Sequence, residues 1–210
     1  MFITFEGIEG SGKTTQLRRL AERIPDAVVT KEPGGTPIGD RIRAILLDPQ
    51  STGMDPTTEL FLYAASRRQL VAELIRPALE RGGVVLCDRY TDSTLAYQGF
   101  GRLLNLDELQ TLNTWATGGL IPGLTLLFDL PEDLGLSRAR SRNDASTALQ
   151  DEGRFEGEDL RFHRRVREGY LSLALSEPLR YVVIDAQGTA EDVYGRMAAV
   201  LADRAPEVLR

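Results

Sequence analysis

Apolar residues gather in five short runs, "MFITF", "AVVT", "GVVLCD", "LTLLFDL" and "YVVIDA", and the segments between them carry apolar residues at helical spacing. Runs of this length bounded by turn residues read as strands, whereas apolar positions recurring at i, i+3 and i+4 read as the buried face of a helix. Helices are predicted over "TTQLRRLAERI", "IGDRIRAILL", "LDELQTLNTWA" and "AEDVYGRMAAVLADR". The longest is "TTELFLYAASRRQLVAELIRPALERG", closed by Gly82. Strands alternating with helical connections predict an α/β fold with a five-stranded parallel sheet and helices on both faces, a three-layer α/β/α arrangement. At 210 residues, one domain spanning 1–210 is expected.

One stretch departs from this pattern. From Ser141 to Glu158, "SRNDASTALQDEGRFEGE" has few large apolar residues and lies between helical segments. A structureless stretch of that length is either a functional, mobile lid or a plain surface loop.

The net charge is −6, which argues against a nucleic-acid-coating surface or a polybasic membrane patch. An anionic ligand must then be held locally. A lone cysteine, Cys87, cannot form an intramolecular disulfide and reads as buried and inert. With no signal-like N-terminus and no apolar run long enough for a bilayer, a soluble, cytoplasmic protein is expected.

Gly7-Ile8-Glu9-Gly10-Ser11-Gly12-Lys13-Thr14 fits the phosphate-loop pattern G-x-x-x-x-G-K-[ST] at every position, with Thr15 directly after it. An apolar strand precedes it and a helix follows, as the motif requires. Its glycines let backbone N–H groups converge on phosphate oxygens, and the helix N-terminus adds partial positive charge. Lys13 can then reach the β and γ phosphates, and Thr14 can ligate Mg²⁺. A P-loop NTPase fold is implied, but switches, motors and kinases share it. GTPase switches need D-x-x-G soon after the loop and a later N-K-x-D; Asp185-Ala186-Gln187-Gly188 lies near the C-terminus, and no N-K-x-D exists. A small phosphoryl-transfer enzyme is favoured.

"LCDRYTDSTLAYQG" puts Asp88 and Arg89 at a strand end, the edge where parallel sheets present ligand groups. The arginine can fork onto a phosphate, and the carboxylate can organise Mg²⁺ and water. "TKEPGGTPIGDRIR" supplies a turn and then a helix carrying Arg43, a second phosphate anchor. Tyr63 and Arg67 are four residues apart on the long helix and share a face, where the ring can stack on a base and the guanidinium can bond a base carbonyl.

"FEGIEGSGKTTQ", "TKEPGGTPIGDRIR", "LFLYAASRRQ" and "DRYTDSTLAYQG", in this order, resemble the thymidylate kinase (dTMP kinase) family over nearly the whole chain. The resemblance implies an ATP- and Mg²⁺-dependent kinase making dTDP, working as a homodimer. Arg89 and Arg43 are implied to bind the dTMP phosphate, with Glu32 and Pro33 beside them; Tyr63 stacks on thymine and Arg67 reads it. Ser93, Tyr97 and Gln98 fall where the family lines the base and sugar pocket. Glu9 falls at the acceptor sugar's 3′-hydroxyl and the metal-bound waters, and Phe155 and Glu156 near the deoxyribose. Thr14 and Asp88 are the metal-side residues, Arg138 lies on the ATP side, and "DAQG" contacts adenine.

Two positions depart from the family pattern: Lys31 stands where Arg is usual, and Tyr63 where Phe is usual. Some members place an arginine inside the phosphate loop, whereas Ile8, Glu9, Gly10 and Ser11 supply none. The chain resembles the bacterial subtype whose lid carries that arginine. Arg138, Arg140, Arg142 and Arg154 are the candidates, Arg142 first by motif position. His163, the single histidine, is expected on a solvated helix face. A related kinase with another base preference and a nucleotide-binding regulatory module are the competing readings.

Overall fold

The computed structural model describes residues 1–144, 155 and 157–209 of the chain. Five strands, β1 (Phe2–Glu6), β2 (Val28–Lys31), β3 (Val85–Asp88), β4 (Leu124–Asp129) and β5 (Tyr181–Asp185), form one sheet in the order β2-β3-β1-β4-β5. All four pairings are parallel, so the expected α/β architecture is present. Helices α1 (Lys13–Ala21), α2 (Pro37–Leu47), α3 (Pro56–Leu70), α4 (Arg76–Glu80), α5 (Thr91–Thr94), α6 (Leu106–Thr117), α7 (Glu132–Asp144), α8 (Leu160–Ser176) and α9 (Ala190–Arg204) connect and flank it. Among the described residues, no helix is long and apolar enough to cross a membrane.

Strand alternation divides the core between the two faces. Ile3, Phe5, Leu86, Leu126 and Phe128 pack with Leu17 and Leu20 of α1 and Met197 and Leu201 of α9. Phe2, Val85 and Cys87 face the other way, against Leu70 and Ile75. Leu127 also faces that way, among Tyr97, Phe162, Val166 and Tyr170. The helix after β1 thus covers one face while the chain after β3 covers the other, and a crevice opens between the C-terminal ends of β1 and β3.

Helix boundaries follow local chemistry. Asp55 caps α3 by accepting from Thr57 and Thr58, and Asp159 caps α8 by accepting from Phe162 N at 2.7 Å. The long helix expected from Thr57 to Gly82 is present with an interruption: a π-helical turn, Val71–Ile75, joins α3 to α4. Pro77 explains it, since it cannot donate to the preceding turn and its ring crowds the carbonyl four residues back. A second π segment, Leu95–Gly101, extends α5 through a stretch not expected to be helical. Helix α7 reaches Asp144, so the first four residues of the stretch assigned to a lid are helical. Residues 145–154, with Arg154 among them, and Glu156 lie outside the described residues, as does the Arg142 side chain.

Candidate active site

The phosphate loop stands between β1 and α1 because its glycines permit backbone that other residues resist. Gly10 and Gly12 have φ of 71° and 82°, and a Cβ on Gly10 would stand 2.1 Å from the Gly135 carbonyl oxygen. The loop therefore lies flush against α7. Gly12 precedes α1 with no side-chain cap, leaving the first N–H groups of that helix available to an anion. Lys13 is buried, and its Nζ donates to Ile8 O at 3.3 Å, a long bond it can exchange for a phosphate oxygen. Burial first, then the like charge of Arg89, draws its pKa down to about 8 against the pull of Asp88, Glu9 and Glu6.

Across the crevice, β3 ends at Asp88, whose carboxylate accepts from the Thr14 hydroxyl. Mg²⁺ takes one or two protein oxygens and completes its shell with phosphate and water. A hydroxyl and a carboxylate in contact at the mouth of the phosphate loop are a donor set of that kind. No cluster of three His, Cys, Asp or Glu suited to a metal exists among the described residues.

Arg89, next in the chain, has φ of 73°, a left-handed conformation rare outside glycine. Flanking bonds hold it there: Arg89 N donates to Phe5 O at 3.0 Å, and Tyr90 N to Glu6 Oε1 at 2.7 Å. The turn aims its guanidinium into the cleft, where Nη2 reaches Glu9 Oε1 at 3.1 Å and the Tyr97 hydroxyl at 3.0 Å. Nη1 reaches Ser93 at 3.3 Å and Tyr170 at 3.2 Å. Strained backbone at a ligand-facing arginine is typical of functional sites.

A cavity of about 390 Å³ joins both halves. Glu9, Gly10, Lys13, Thr14 and Thr15 line one end; Glu32, Pro33, Arg43, Tyr63, Arg67, Ser93, Tyr97, Gln98 and Phe155 line the other, with Asp88 and Arg89 between. Arg43 donates to Pro33 O at 2.9 Å, which sets the helix α2 cation beside the Pro33 turn. The Gln98 amide is held by Glu59 at 2.8 Å. Phe155 packs edge-on against Tyr97, with ring centres 5.6 Å apart. Burial pushes the Tyr63 hydroxyl up to about 12, so it stays protonated.

Two expected site residues are engaged with protein. Arg67 directs Nε and Nη2 at Glu32, Nη1 at Thr94 and Asn113, and Nη2 also at Tyr90 O, so its donors all serve the cleft wall. Arg138 donates to Ala186 O at 3.2 Å, tying α7 to the "DAQG" loop.

His163 requires a correction: it is 1% exposed, not solvated, and its Nδ1 lies 3.5 Å from Glu9 Oε2. The ring is carried in by α8, where Phe162 and Val166 also face the core. Glu6 and Tyr170 were not expected in the site at all. Ser93 Oγ and the Tyr170 hydroxyl donate to Glu6 Oε2 at 2.7 and 2.8 Å, and both also accept from Arg89. An acidic residue closing an otherwise apolar strand, "FITFE", was the available signal for Glu6.

Glu9 sits at the junction of the two halves. Burial alone would raise its carboxyl, but His163, the charges of Arg89 and Lys13, and the Tyr97 hydroxyl together hold it well below the usual carboxylate range.

Proteins similar to this chain in sequence, and one similar to it in fold, carry the name thymidylate kinase. The family model described as thymidylate kinase matches residues 5–196. A thymidylate kinase of Syntrophotalea carbinolica is 57% identical over 200 residues, covering 93% of this chain and 92% of that protein. One from Geobacter sulfurreducens is 56% identical, covering 98% of each. Among solved structures, the crystal structure of thymidylate kinase from Ehrlichia chaffeensis superposes with a TM-score of 0.76 at 32% identity, covering 96% of this chain and 98% of that one. With the phosphate loop, the strained strand-end arginine and the shared cleft in place, the chain belongs to the thymidylate kinase family.

Proposed function

We propose that the chain transfers the γ-phosphoryl group of ATP to dTMP, giving ADP and dTDP. The observation that carries this reading is the single cleft in which the phosphate loop faces the Arg43, Tyr63 and Arg89 cluster across Glu9. ATP lies with its β and γ phosphates on Lys13 and the loop N–H groups, and Arg138 stands on its adenine side. The dTMP phosphate lies on Arg43 and Arg89, and its base against Tyr63 in a wall braced by Arg67 and Glu32. Ser93, Tyr97, Gln98 and Phe155 shape the sugar and base pocket.

Phosphoryl transfer of this kind needs positioning and charge stabilisation more than covalent chemistry. Thr14 and Asp88 would hold Mg²⁺, which when bound neutralises charge on the transferring phosphate. Lys13 and Arg89 approach the line of transfer from opposite ends. Glu9 keeps Arg89 aimed and meets the acceptor sugar. Arg142 supplies the positive charge that the phosphate loop lacks, with Glu156 on the acceptor side of the same lid. Closure of that lid excludes water as a competing acceptor.

The protein acts in the cytoplasm, a reading supported by a lone, buried Cys87 and no need of disulfides. It acts as a homodimer, supported by exposed Trp115 on α6 and Phe61 on the neighbouring α3, at 76% and 58% exposure.

The test is ADP release from ATP with a panel of nucleoside monophosphates. dTMP is expected to turn over fastest. Faster turnover with AMP, CMP or dGMP would sink the base assignment, and none with any acceptor would favour a regulatory nucleotide-binding module.

A further inference from the structure

We propose that His163 is a positioning residue for phosphoryl transfer, fixing the Glu9 carboxylate at the junction of the donor and acceptor halves of the cleft. The inference rests on the role of Glu9 given above.

Glu9 Oε1 accepts from the Tyr97 hydroxyl at 2.5 Å and from Arg89 Nη2 at 3.1 Å. Oε2 has no hydrogen-bond partner among the described residues, although it is buried. The polar atom that faces it is His163 Nδ1, at 3.5 Å. A proton on Nδ1 points the imidazole's donor at the one carboxylate oxygen that lacks a donor. Separations of this size in active sites commonly tighten when substrates bind.

The opposite ring nitrogen, Nε2, is also buried without a partner. Burying a ring with an unsatisfied nitrogen is costly when a phenyl would pack as well. The Phe162 ring stands edge-on to it, with ring centres 5.5 Å apart. A polar ring kept in such a place is explained by the atom it presents to Glu9.

The consequence is mechanical. Without His163, Glu9 keeps only the contacts at Oε1 and can rotate away, taking from Arg89 Nη2 one of its two partners and leaving it the Tyr97 hydroxyl. His163 also stands in the first turn of α8, just beyond Phe155, which packs on Tyr97. The segment that follows the lid is thereby joined to the phosphate loop through one side-chain pair.

The test compares His163→Gln and His163→Asn, alone and in a Glu9→Gln background, in steady-state assays with ATP and dTMP. The asparagine amide nitrogen falls near the place of Nδ1, whereas the glutamine nitrogen falls near Nε2. His163→Gln is expected to lower kcat/KM for dTMP by about tenfold or more, because small displacements of positioning groups are expensive. KM for ATP should stay within about twofold, and His163→Asn should recover most of the loss. In the Glu9→Gln background, His163→Gln should cost little more, the non-additivity of a shared role. Thermal melts within a few degrees of wild type would separate this from misfolding. An impaired Glu9→Gln enzyme beside an unimpaired His163→Gln, or additive losses, would overturn this inference alone. An unimpaired Glu9→Gln enzyme would overturn it together with the role of Glu9.

Discussion

Arg67 Nε and Nη2 converge on one oxygen of Glu32, at 2.8 and 2.6 Å, with both side chains almost wholly buried. Burial works against the guanidinium charge, but Glu32 outweighs it and keeps the Arg67 pKa above its ordinary value. Through Thr94, Asn113 and Tyr90 the same guanidinium joins α3, α5 and α6 into the wall behind the acceptor pocket. Removing one partner of such a pair leaves an uncompensated buried charge. Glu32→Leu is therefore expected to cost about 3–5 kcal/mol in urea denaturation. Arg67→Lys should fail to restore the wall, since an ammonium lacks the planar fork that five contacts require. A Glu32→Leu loss near zero would show that the pair is not a structural brace.

Glu6 predicts a pH effect on stability. Burial, helped by the nearby charge of Asp92 and opposed by Arg89, Ser93 and Tyr170, raises its pKa from 4.5 to about 7. Between those values the folded protein keeps a proton that the unfolded chain releases. The Glu6 contribution to stability is thus present in full below pH 4.5 and falls as pH rises through 7. Glu6→Gln keeps the shape of the site and removes the titration. The difference in unfolding free energy between wild type and Glu6→Gln should therefore change across this window in favour of the variant as pH rises; a constant difference would refute it.

What the sequence makes legible, and what it hides, divides along physical lines. The phosphate loop is readable because glycine spacing and the following lysine are a local requirement of the backbone itself. The Asp88–Arg89 strand end and the Tyr63–Arg67 helix face are readable for the same reason, since periodicity within one element places them. His163 is not, and Glu6 shows only as an acid closing an apolar strand, because their partners lie in distant elements: Glu9 in one case, Ser93 and Tyr170 in the other. A polar residue inside a helix gives no local sign of whether it meets water or a buried carboxylate. Arg67 falls between these cases: its helix and face are local, but its engagement by Glu32 and Asn113 depends on how β2 and α6 pack.

Tyr63 tests the acceptor wall. It lines the cleft beside Arg43 and Arg67, and its ring is the flat surface proposed above to stack on the dTMP base. Base–aromatic stacking contributes about 1–3 kcal/mol, so Tyr63→Ala should weaken dTMP binding by about tenfold or more in calorimetric titration. Tyr63→Phe should bind as well as wild type, because the hydroxyl is not needed for stacking. Equal dTMP affinity in Tyr63→Ala would leave the residue as core packing only.

The lid arginine is the sharpest kinetic prediction. Helix α7 begins flush against the phosphate loop, where a Cβ on Gly135 would stand 2.6 Å from Glu9 O. Positions 135, 138 and 142 follow at spacings of three and four, so they share the helix face that starts on the loop. Arg138 on that face bonds Ala186 O, which ties it to the "DAQG" loop. Arg142 stands one turn further along α7, and in the function proposed above closure of the lid brings its charge to the γ phosphate. A charge needed only in the transition state lowers kcat without changing ground-state affinity. Arg142→Ala should therefore reduce kcat by roughly a thousandfold while dTMP affinity stays within about threefold. Arg138→Ala should act mainly on KM for ATP. If Arg142→Ala left kcat unchanged, the missing positive charge would have to come from Arg140 or Arg154, and the same measurement on those two variants would identify which.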